Sequence, residues 1–382
     1  MDADLKELQY EYGASCSRYE EKASSKLANS DTIIISGFGC SITVRNGALR
    51  ISPGRTHKDQ QQDVAILYNG VHGIKHIILL SDKGLISLDA IRWAVEQGIA
   101  ITMIDGRGRL MQSLTPEHES YAALRRSQYQ AVDTGLAQYL SREIIRRKTL
   151  AQVDVLKTLP VREQEVPSVV FMGQRIVLPG SHGRLPGEPL WKPLDDGLTE
   201  LSHMQEIETI RALEGRLAII YWDAFIGIPI QWDRKSVQNV PPHWQHITER
   251  ISSLSGRINA QHATNPYQAV TNYAYAILES QCRQSLNAQG FDPACGFLHA
   301  DALHRDSLVF DVMDAGLRPK VDQLVLKLFA STTFIKGDLM SAKTGEVIFN
   351  PQFSRYIAAS CRISQEEVDN SVSWLKAQLL GF

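Results

Sequence analysis

Four acidic or histidine residues in the second half of the sequence lie in surroundings that favour a bound cation. Glu214 interrupts the apolar segment 212–222, where a carboxylate is costly unless it is paired or binds a cation. His299 comes just before a polar stretch, and Asp311 and Asp314 follow in an otherwise apolar helical segment. Their spacing of three residues predicts that the two aspartates share one helix face.

A site made of one Glu, one His and one or two Asp suits Mg²⁺ or Mn²⁺, because carboxylate oxygens and imidazole nitrogens match hard to borderline cations. Such an ion can polarise a phosphodiester and help to position or deprotonate an attacking oxygen. Two alternatives stay open, since isolated residues are a weak pattern. Glu214 could form an ion pair with Arg211 or Arg216, and His299 could be a structural histidine.

The charge balance limits how the chain could bind a polyanion. Its 382 residues include 40 Lys and Arg against 42 Asp and Glu, which gives a formal net charge of −2. This balance excludes binding to nucleic acid by bulk charge, but a DNA enzyme needs only a local stripe of basic residues. We predict that the following arginines bind DNA: Arg125, Arg126, Arg146, Arg147 and Arg216.

Cysteine usage and hydropathy predict a cytoplasmic protein. The five cysteines lie far apart and form no Cys-x-x-Cys pair, which is typical of reduced thiols in the cytosol. No apolar run approaches the roughly 18 residues that a membrane helix needs. The first residues are acidic, unlike those of a secretion signal, and we expect no association with a membrane.

The elements that must position these residues fall into unlike parts of the chain. Residues 1–30 are polar, and we expect a short helix or a mobile extension rather than core. Residues 31–112 contain short β-branched runs and turn signals that predict strands, with one helix at 88–97. Residues 113–382 have mainly helical patterns, interrupted by a Pro- and Gly-rich insertion at about 160–200.

The predicted fold class is therefore α+β, with an N-terminal β-rich domain joined by a linker to a larger, mainly α-helical catalytic domain. Helical patterns are predicted at 119–158, 203–226, 245–255, 266–289, 303–315, 318–331 and 364–380. The insertion contains a possible hairpin, with strands at about 166–172 and 176–178.

Five ordered motifs resemble those of the CRISPR-associated adaptation integrase, the metal-dependent DNA endonuclease subunit of spacer acquisition. They are Ile-Ser-Gly-Phe-Gly at 35–39 with 44–49, the segment 86–101, the Leu-Glu-Gly-Arg helix at 213–222, the Asn-Pro to Asn-Tyr helix at 265–276, and Gly-Phe-Leu-His at 296–299 with 306–319. The resemblance covers about residues 32–335 in the family's order, which makes it far more specific than any one motif.

The resemblance implies what each part of the chain does. Glu214, His299 and Asp314 match the three metal ligands, and Asp311 matches a neighbouring acidic position that supports them in the catalytic set. The implied reaction is transesterification, in which a DNA 3′-hydroxyl attacks a phosphodiester at a CRISPR repeat boundary with Mg²⁺ or Mn²⁺ bound. The implied partners are double-stranded DNA (a captured fragment and the repeat), a second copy of the chain bound through the β-rich domain at 31–112, and a small ferredoxin-like adaptation subunit.

Two other functions are compatible with the same motifs. A transposase-like homologue would join the ends of a mobile element without the small partner. Such enzymes often carry further DNA-binding modules, and we find none after Phe334. A catalytically silent relative would only bind or scaffold DNA, and the presence of Glu214, His299 and Asp314 argues against that alternative.

Overall fold

Strands dominate the first part of the chain and helices dominate the rest, which confirms the predicted α+β class. The computed structural model describes residues 19, 30–37, 39–54, 65–81, 83–106, 108–116, 121–159, 168–171, 174–177, 189–249, 262–303 and 305–381. No helix within these segments is both long and apolar enough to span a bilayer.

The strands of the N-terminal region form two four-stranded sheets in the described residues. They are β1 (Thr32–Ser36), β2 (Cys40–Arg45), β3 (Ala48–Ser52), β4 (Ala65–Leu67), β5 (His76–Leu80), β6 (Gly84–Ile86), β7 (Ala100–Ile104) and β8 (Leu110–Leu114). The first sheet has the order β1-β5-β7-β8, with β1, β5 and β7 parallel and β8 antiparallel to β7. The second sheet has the order β4-β3-β2-β6.

The first sheet is buried on both faces, and this joins the β-rich part to the helical part. Alternate residues of a strand point to opposite faces. Ile77 and Leu79 of β5 therefore pack with the second sheet, whereas Ile78 and Leu80 join the core of the helical region. Burial on both faces explains why the sequence of β5 is an uninterrupted apolar run.

The helix predicted at 88–97 is confirmed as α1 (Leu88–Glu96). Ser87 caps its N-terminus by accepting a hydrogen bond from the Ala90 amide at 3.2 Å. Trp93 lies in the apolar core shared with the second sheet and donates its indole N–H to the Gly47 carbonyl. The helix therefore covers the sheet through its apolar face while its cap defines where it starts.

Helices form most of the larger region. They are α2 (Ala122–Asp133), α3 (Leu136–Thr158), α4 (Lys192–Leu201), α5 (Ile207–Asp223), α6 (Pro266–Ala288), α7 (Ser307–Val312), α8 (Arg318–Ser331), α9 (Pro351–Ser360) and α10 (Gln365–Leu380). Helix α6 lies at the centre, since most of its residues are buried. Two antiparallel hairpins complete the described region: β9 (Ser168–Phe171) with β10 (Gln174–Val177), and β11 (Leu339–Ser341) with β12 (Val347–Phe349).

Several elements differ from the sequence prediction for local reasons. The segment 119–158 forms two helices because Gly135, with a φ of +74°, starts a new one. Residues 245–249 are not helical, since they follow a short 3₁₀ turn at Pro242–Trp244. The strands β6, β8, β11 and β12 and the helices α4 and α9 were not predicted. Helix α4 lies within the stretch of about 160–200 that was predicted to be a loop insertion. The sheet also extends to Leu114, beyond the boundary placed at residue 112.

One residue of the N-terminal segment belongs to the core, so the prediction that residues 1–30 lie outside it is wrong at that position. Tyr19 is fully buried and its hydroxyl donates to Asp338 Oδ2 at 2.7 Å. Its ring contacts Phe353 and Tyr356. An isolated aromatic residue in a polar segment gives no periodic signal, and most of this segment lies outside the described residues.

His76 predicts a pH dependence of stability. Its ring is 2% exposed, and burial, with a further contribution from the charge of Arg362, lowers its pKa to about 3. The unfolded chain, whose His76 has an ordinary pKa near 6.5, binds more protons below that pH. The contribution of His76 to the free energy of unfolding is therefore expected to be complete above pH 6.5. As the pH falls to 5, protonation of this histidine in the unfolded chain should lower that free energy by about 2 kcal/mol.

Urea denaturation of wild type and His76→Gln between pH 7.5 and 5 checks this expectation. The variant should lose less stability than wild type as the pH falls, because glutamine does not titrate. Equal losses in the two proteins would contradict it.

Candidate active site

The buried carboxylate of Asp311 organises the loop that carries His299. Asp311 is fully buried, and its Oδ2 accepts hydrogen bonds from the amides of Phe297 and Leu298 at 2.6 and 3.0 Å. Its Oδ1 accepts the amide of His299 at 3.0 Å and contacts His299 Nδ1 at 2.6 Å. Because both carboxylate oxygens are used, the loop and the imidazole are fixed together.

A glycine allows the loop to wrap this closely around the carboxylate. A Cβ on Gly296 would lie 2.8 Å from the His299 carbonyl oxygen and 3.1 Å from Asp311 Oδ2. The far side of the loop is held by Ser307, whose hydroxyl donates to the Ala300 carbonyl at 2.9 Å. Glycine is therefore required for steric reasons at the first position of the Gly-Phe-Leu-His motif. The histidine at its last position is oriented by Asp311.

Asp314 lies beyond the end of α7, in a wide turn formed by Met313–Leu317 in which Gly316 has a φ of +97°. The carboxylate is 2% exposed, and its Oδ1 accepts a hydrogen bond from Arg318 Nη1 at 2.6 Å. Burial acts to raise the pKa of Asp314, but the positive charges of Arg318 and Lys148 outweigh it and hold that pKa below its ordinary value. Asp314 is therefore an anion at neutral pH.

Glu214 meets a cation that the sequence had not paired with it. Lys148 Nζ on α3 lies 2.5 Å from Glu214 Oε1 on α5 and 3.3 Å from Asp314 Oδ2. The ion pairs left open with Arg211 and Arg216 are replaced by other contacts. Arg211 Nε donates to the Leu298 carbonyl at 2.5 Å, and Arg216 pairs with Glu200.

Lys148 was missed as a site residue because it stands in a run of basic residues. A helical signal was present nonetheless. Lys148 shares a face of α3 with Ile144 and Gln152, both of which are buried, and a lysine on a buried face requires a partner. Its partners are 66 residues away and farther along the chain, so the sequence could not identify them.

His299 presents its free ring nitrogen to the same place. Its Nε2 lies 3.8 Å from Asp314 Oδ2, while Nδ1 is held by Asp311. A histidine whose other nitrogen bonds to a carboxylate is the usual arrangement of a metal ligand. A cavity of about 350 Å³ opens beside Glu214 and His299, and the cations Arg211 and Arg305 line it as well.

The three predicted ligands are linked through Asp314 and Lys148: Lys148 Nζ contacts both Glu214 and Asp314, and His299 Nε2 lies 3.8 Å from Asp314 Oδ2. In the described part of the chain, no three His, Cys, Asp or Glu side chains are arranged so that they could hold a metal ion. The ammonium of Lys148 instead lies within hydrogen-bond reach of Glu214 and close to Asp314. The positive charge that the two carboxylates require is supplied by the chain itself.

Hydrogen bonds behind the site hold Tyr275 in place, and the ring of Tyr275 lies next to Arg318, the partner of Asp314. Asp322 is buried and accepts the hydroxyl protons of Tyr221 at 2.8 Å and Tyr275 at 2.6 Å. The guanidinium of Arg318 lies 5.5 Å from the Tyr275 ring centroid, within range of a cation–π interaction. The helices α5, α6 and α8 are thereby tied together behind the site.

The arginines predicted to bind DNA lie away from this cavity, and most of them have partners in the protein. Arg125 donates to the carbonyl oxygens of Gly290 and Phe291. Arg146 and Arg147 both pair with Glu143, whereas Arg126 is exposed. Within the insertion at about 160–200, Lys192 pairs with Asp195 and Asp196, and Trp191 contacts Lys157.

A strand-rich region packed on a helical region, with Glu214, His299 and Asp314 brought together in the latter, is the arrangement expected of the adaptation integrases of CRISPR systems. The family model described as CRISPR associated protein Cas1 matches residues 33–361. The chain belongs to the Cas1 family.

Known relatives agree with this assignment along most of the chain. The CRISPR-associated endonuclease Cas1 1 of Archaeoglobus fulgidus is 24% identical over 305 residues, which is 78% of each protein. A casposase bound to its integration product has a TM-score of 0.70 at 21% identity and covers 92% of this chain and 90% of that one. A Cas6-RT-Cas1–Cas2 complex has a TM-score of 0.64 at 14% identity and covers 92% of this chain and 35% of that one. At these identities the two structures show a shared fold.

The contacts of Asp311 predict that Asp311→Asn disrupts the site. An asparagine would direct its NH₂ group at one pair of the donors that the carboxylate now satisfies, so buried donors lose their partners. We expect a loss of about 2–4 kcal/mol in the free energy of unfolding, measured by urea denaturation. The control is Asp301→Asn, since exposed Asp301 accepts a single amide hydrogen bond, at 3.3 Å, from the same loop. A loss no larger than that of the control would contradict the role of Asp311.

Proposed function

We propose that this Cas1 protein is a metal-dependent DNA endonuclease and integrase that inserts short DNA fragments into a CRISPR array by 3′-hydroxyl transesterification. The observation that supports it best is that Glu214 and Asp314 share one cation position, which Lys148 Nζ occupies, while His299 Nε2 lies 3.8 Å from Asp314 Oδ2. That position lies beside a cavity that Arg211 and Arg305 also line. Positive side chains beside a metal position suit a phosphodiester, whose oxygens are anionic.

Each residue has a distinct part in the proposed reaction. Glu214, Asp314 and His299 would hold Mg²⁺ or Mn²⁺, which supplies a Lewis acid for the phosphate when bound. Asp311 orients His299, and Arg211 and Arg305 offer positive charge to the phosphate oxygens. A bond forms between the attacking 3′-oxygen and phosphorus, and the bond from phosphorus to the leaving oxygen breaks. The attacking hydroxyl loses its proton, and the leaving oxygen gains one.

The proposed substrates are a captured double-stranded DNA fragment and the repeat of the array, and the proposed protein partner is a small ferredoxin-like adaptation subunit. Two solved structures with this fold support these proposals, because one is a casposase bound to an integration product and the other is a Cas6-RT-Cas1–Cas2 complex. The nearly neutral net charge of −2 leaves DNA binding to local basic residues rather than to bulk charge.

A homodimer through the β-rich region is part of the proposal. Exposed apolar side chains concentrate around the second sheet and the start of α1, and such patches mark interaction surfaces. They are Ile66, Tyr68, Val71, Leu85 and Leu88, with exposed fractions between 46% and 84%. A second copy of the chain would cover this surface.

A transposase-like integrase is the second candidate, and the casposase likeness is the observation that favours it. The two candidates share the reaction and differ in the DNA that is joined. A joining assay with a plasmid that carries a repeat array, run in parallel with a plasmid that lacks one, separates them. Joining confined to repeat boundaries supports the adaptation integrase, whereas dispersed joining of terminal ends supports the alternative.

The metal site predicts the effect of removing each ligand. Glu214→Ala, His299→Ala and Asp314→Ala should each lower strand joining with Mn²⁺ by at least about a hundredfold, because each removes a ligand for the cation. Sedimentation should show that each variant remains a compact dimer, with a mass twice the chain mass of 42.7 kDa. Glu200→Ala is the control, since Glu200 pairs with Arg216 at the surface. Joining at the wild-type level by His299→Ala would refute the ligand assignment.

Arg146 and Arg147 predict a change in the salt dependence of DNA binding. If both contact phosphates, replacing both with alanine should weaken duplex binding and lower the slope of log K against log salt by about 2. Fluorescence anisotropy at salt concentrations from about 50 to about 300 mM NaCl measures this slope. Arg92→Ala is a matched control, because exposed Arg92 also pairs with a carboxylate three residues away. An unchanged slope in the double variant would refute the contacts.

A further inference from the structure

Lys148 is the cation of the described site that contacts two of the proposed metal ligands at once. It is 8% exposed, and its Nζ lies 2.5 Å from Glu214 Oε1 and 3.3 Å from Asp314 Oδ2. Those two oxygens are the ones that a shared metal ion would require. The ammonium therefore stands between the same anions that we assign to the metal.

The turn that carries Asp314 packs on the helix that carries Lys148. A Cβ built on Gly316 would lie 3.4 Å from the Arg147 carbonyl oxygen and 3.9 Å from Ala151 Cβ. The wide turn at 313–317 is therefore packed on α3 next to Lys148, and the φ of +97° at Gly316 favours glycine there. The backbones that carry Lys148 and Asp314 are thus held close together, whereas the flexible lysine side chain can still move.

The charges of the site show what Lys148 does before a metal enters. Asp314 is buried and already pairs with Arg318 at 2.6 Å, whereas Glu214 receives its cation from Lys148. Buried or half-buried carboxylates that face each other repel unless a cation lies between them. Without Lys148, the helix α5 and the turn would be pushed apart at the point where they form the site.

We propose that Lys148 is a tethered cation that holds the metal position between Glu214 and Asp314, and that a divalent ion must displace its ammonium to bind. This inference rests on the metal site of the proposed function. Lys148 is then a positioning residue: it keeps the two ligands together in the metal-free protein and competes with the metal for them. Removing its charge should weaken the metal-free fold and strengthen metal binding, which are opposite effects on two measurements.

The experiment uses the full chain and MnCl₂ alone. Mn²⁺ affinity is measured by calorimetry and by the free-ion electron paramagnetic resonance signal, and the Tm is measured with and without Mn²⁺. The variants are Lys148→Met and Lys148→Gln, the latter retaining a hydrogen-bond donor in case the former does not fold. Lys157→Met is the matched control, since Lys157 lies on the same helix and pairs with Asp154 at the surface.

We expect both Lys148 variants to bind Mn²⁺ about tenfold more tightly than wild type, which corresponds to about 1.4 kcal/mol. Their metal-free Tm should fall, and Mn²⁺ should raise it by more than it raises the Tm of wild type. The control should behave as wild type in both measurements. A purely structural lysine would lower the Tm without increasing the affinity for Mn²⁺.

Amine labelling of the wild-type protein tests displacement directly, without any variant. Mass spectrometry after acetylation should show Lys148 protected in the metal-free protein and labelled faster with Mn²⁺, with Lys157 unchanged. Unchanged labelling of Lys148, or Mn²⁺ affinity in the variants equal to or weaker than wild type, would overturn the inference while leaving the metal site intact. Absence of Mn²⁺ binding in wild type and variants alike would overturn the metal site and this inference together.

Discussion

The geometry of the site depends first on one buried carboxylate. Asp311 accepts three backbone amides and contacts the imidazole of His299. A buried carboxylate without such donors is strongly disfavoured, so the loop at 296–299 must close around it for the chain to fold. The hydrogen bonds that the buried Asp311 carboxylate requires therefore also set the orientation of the His299 ring. If His299 acts as proposed, a ring orientation that comes with the fold would need no separate ordering when substrate arrives.

The remaining site residues come from separate parts of the chain, and apolar packing brings them together. Lys148 lies on α3, Glu214 on α5 and Asp314 in the turn after α7. Helix α5 packs closely on α4, where a Cβ on Gly197 would lie 2.7 Å from Leu217. One face of the first sheet belongs to the same core. Damage to the sheet is thus transmitted to the helices that carry the ligands, and the β-rich part supports the site as well as offering a surface.

The sequence was informative where a polar residue interrupted an apolar pattern. Glu214 and Asp311 were chosen for that reason, and the structure places both in the cluster with His299 and Asp314. Lys148 obeyed the same rule but was concealed among neighbouring basic residues. Tyr19 was missed because a single anchor in a polar segment has no period. The turn that carries Asp314 also escaped prediction, since its shape depends on Gly316 meeting α3, a contact between distant segments.

The site and the two arginines that directly precede Lys148 on α3 share one feature, which is that each cation pairs with a carboxylate. Lys148 is bound to Glu214 and Asp314, and Arg146 and Arg147 are bound to Glu143. These three cations therefore already have carboxylate partners in the folded chain. Under the proposed function, a metal ion or a DNA phosphate would bind by exchange, and each exchange releases a charged group that must find solvent or another partner. DNA binding by a chain with a net charge of −2 would then depend on which carboxylates release their cations, and the total charge does not measure that.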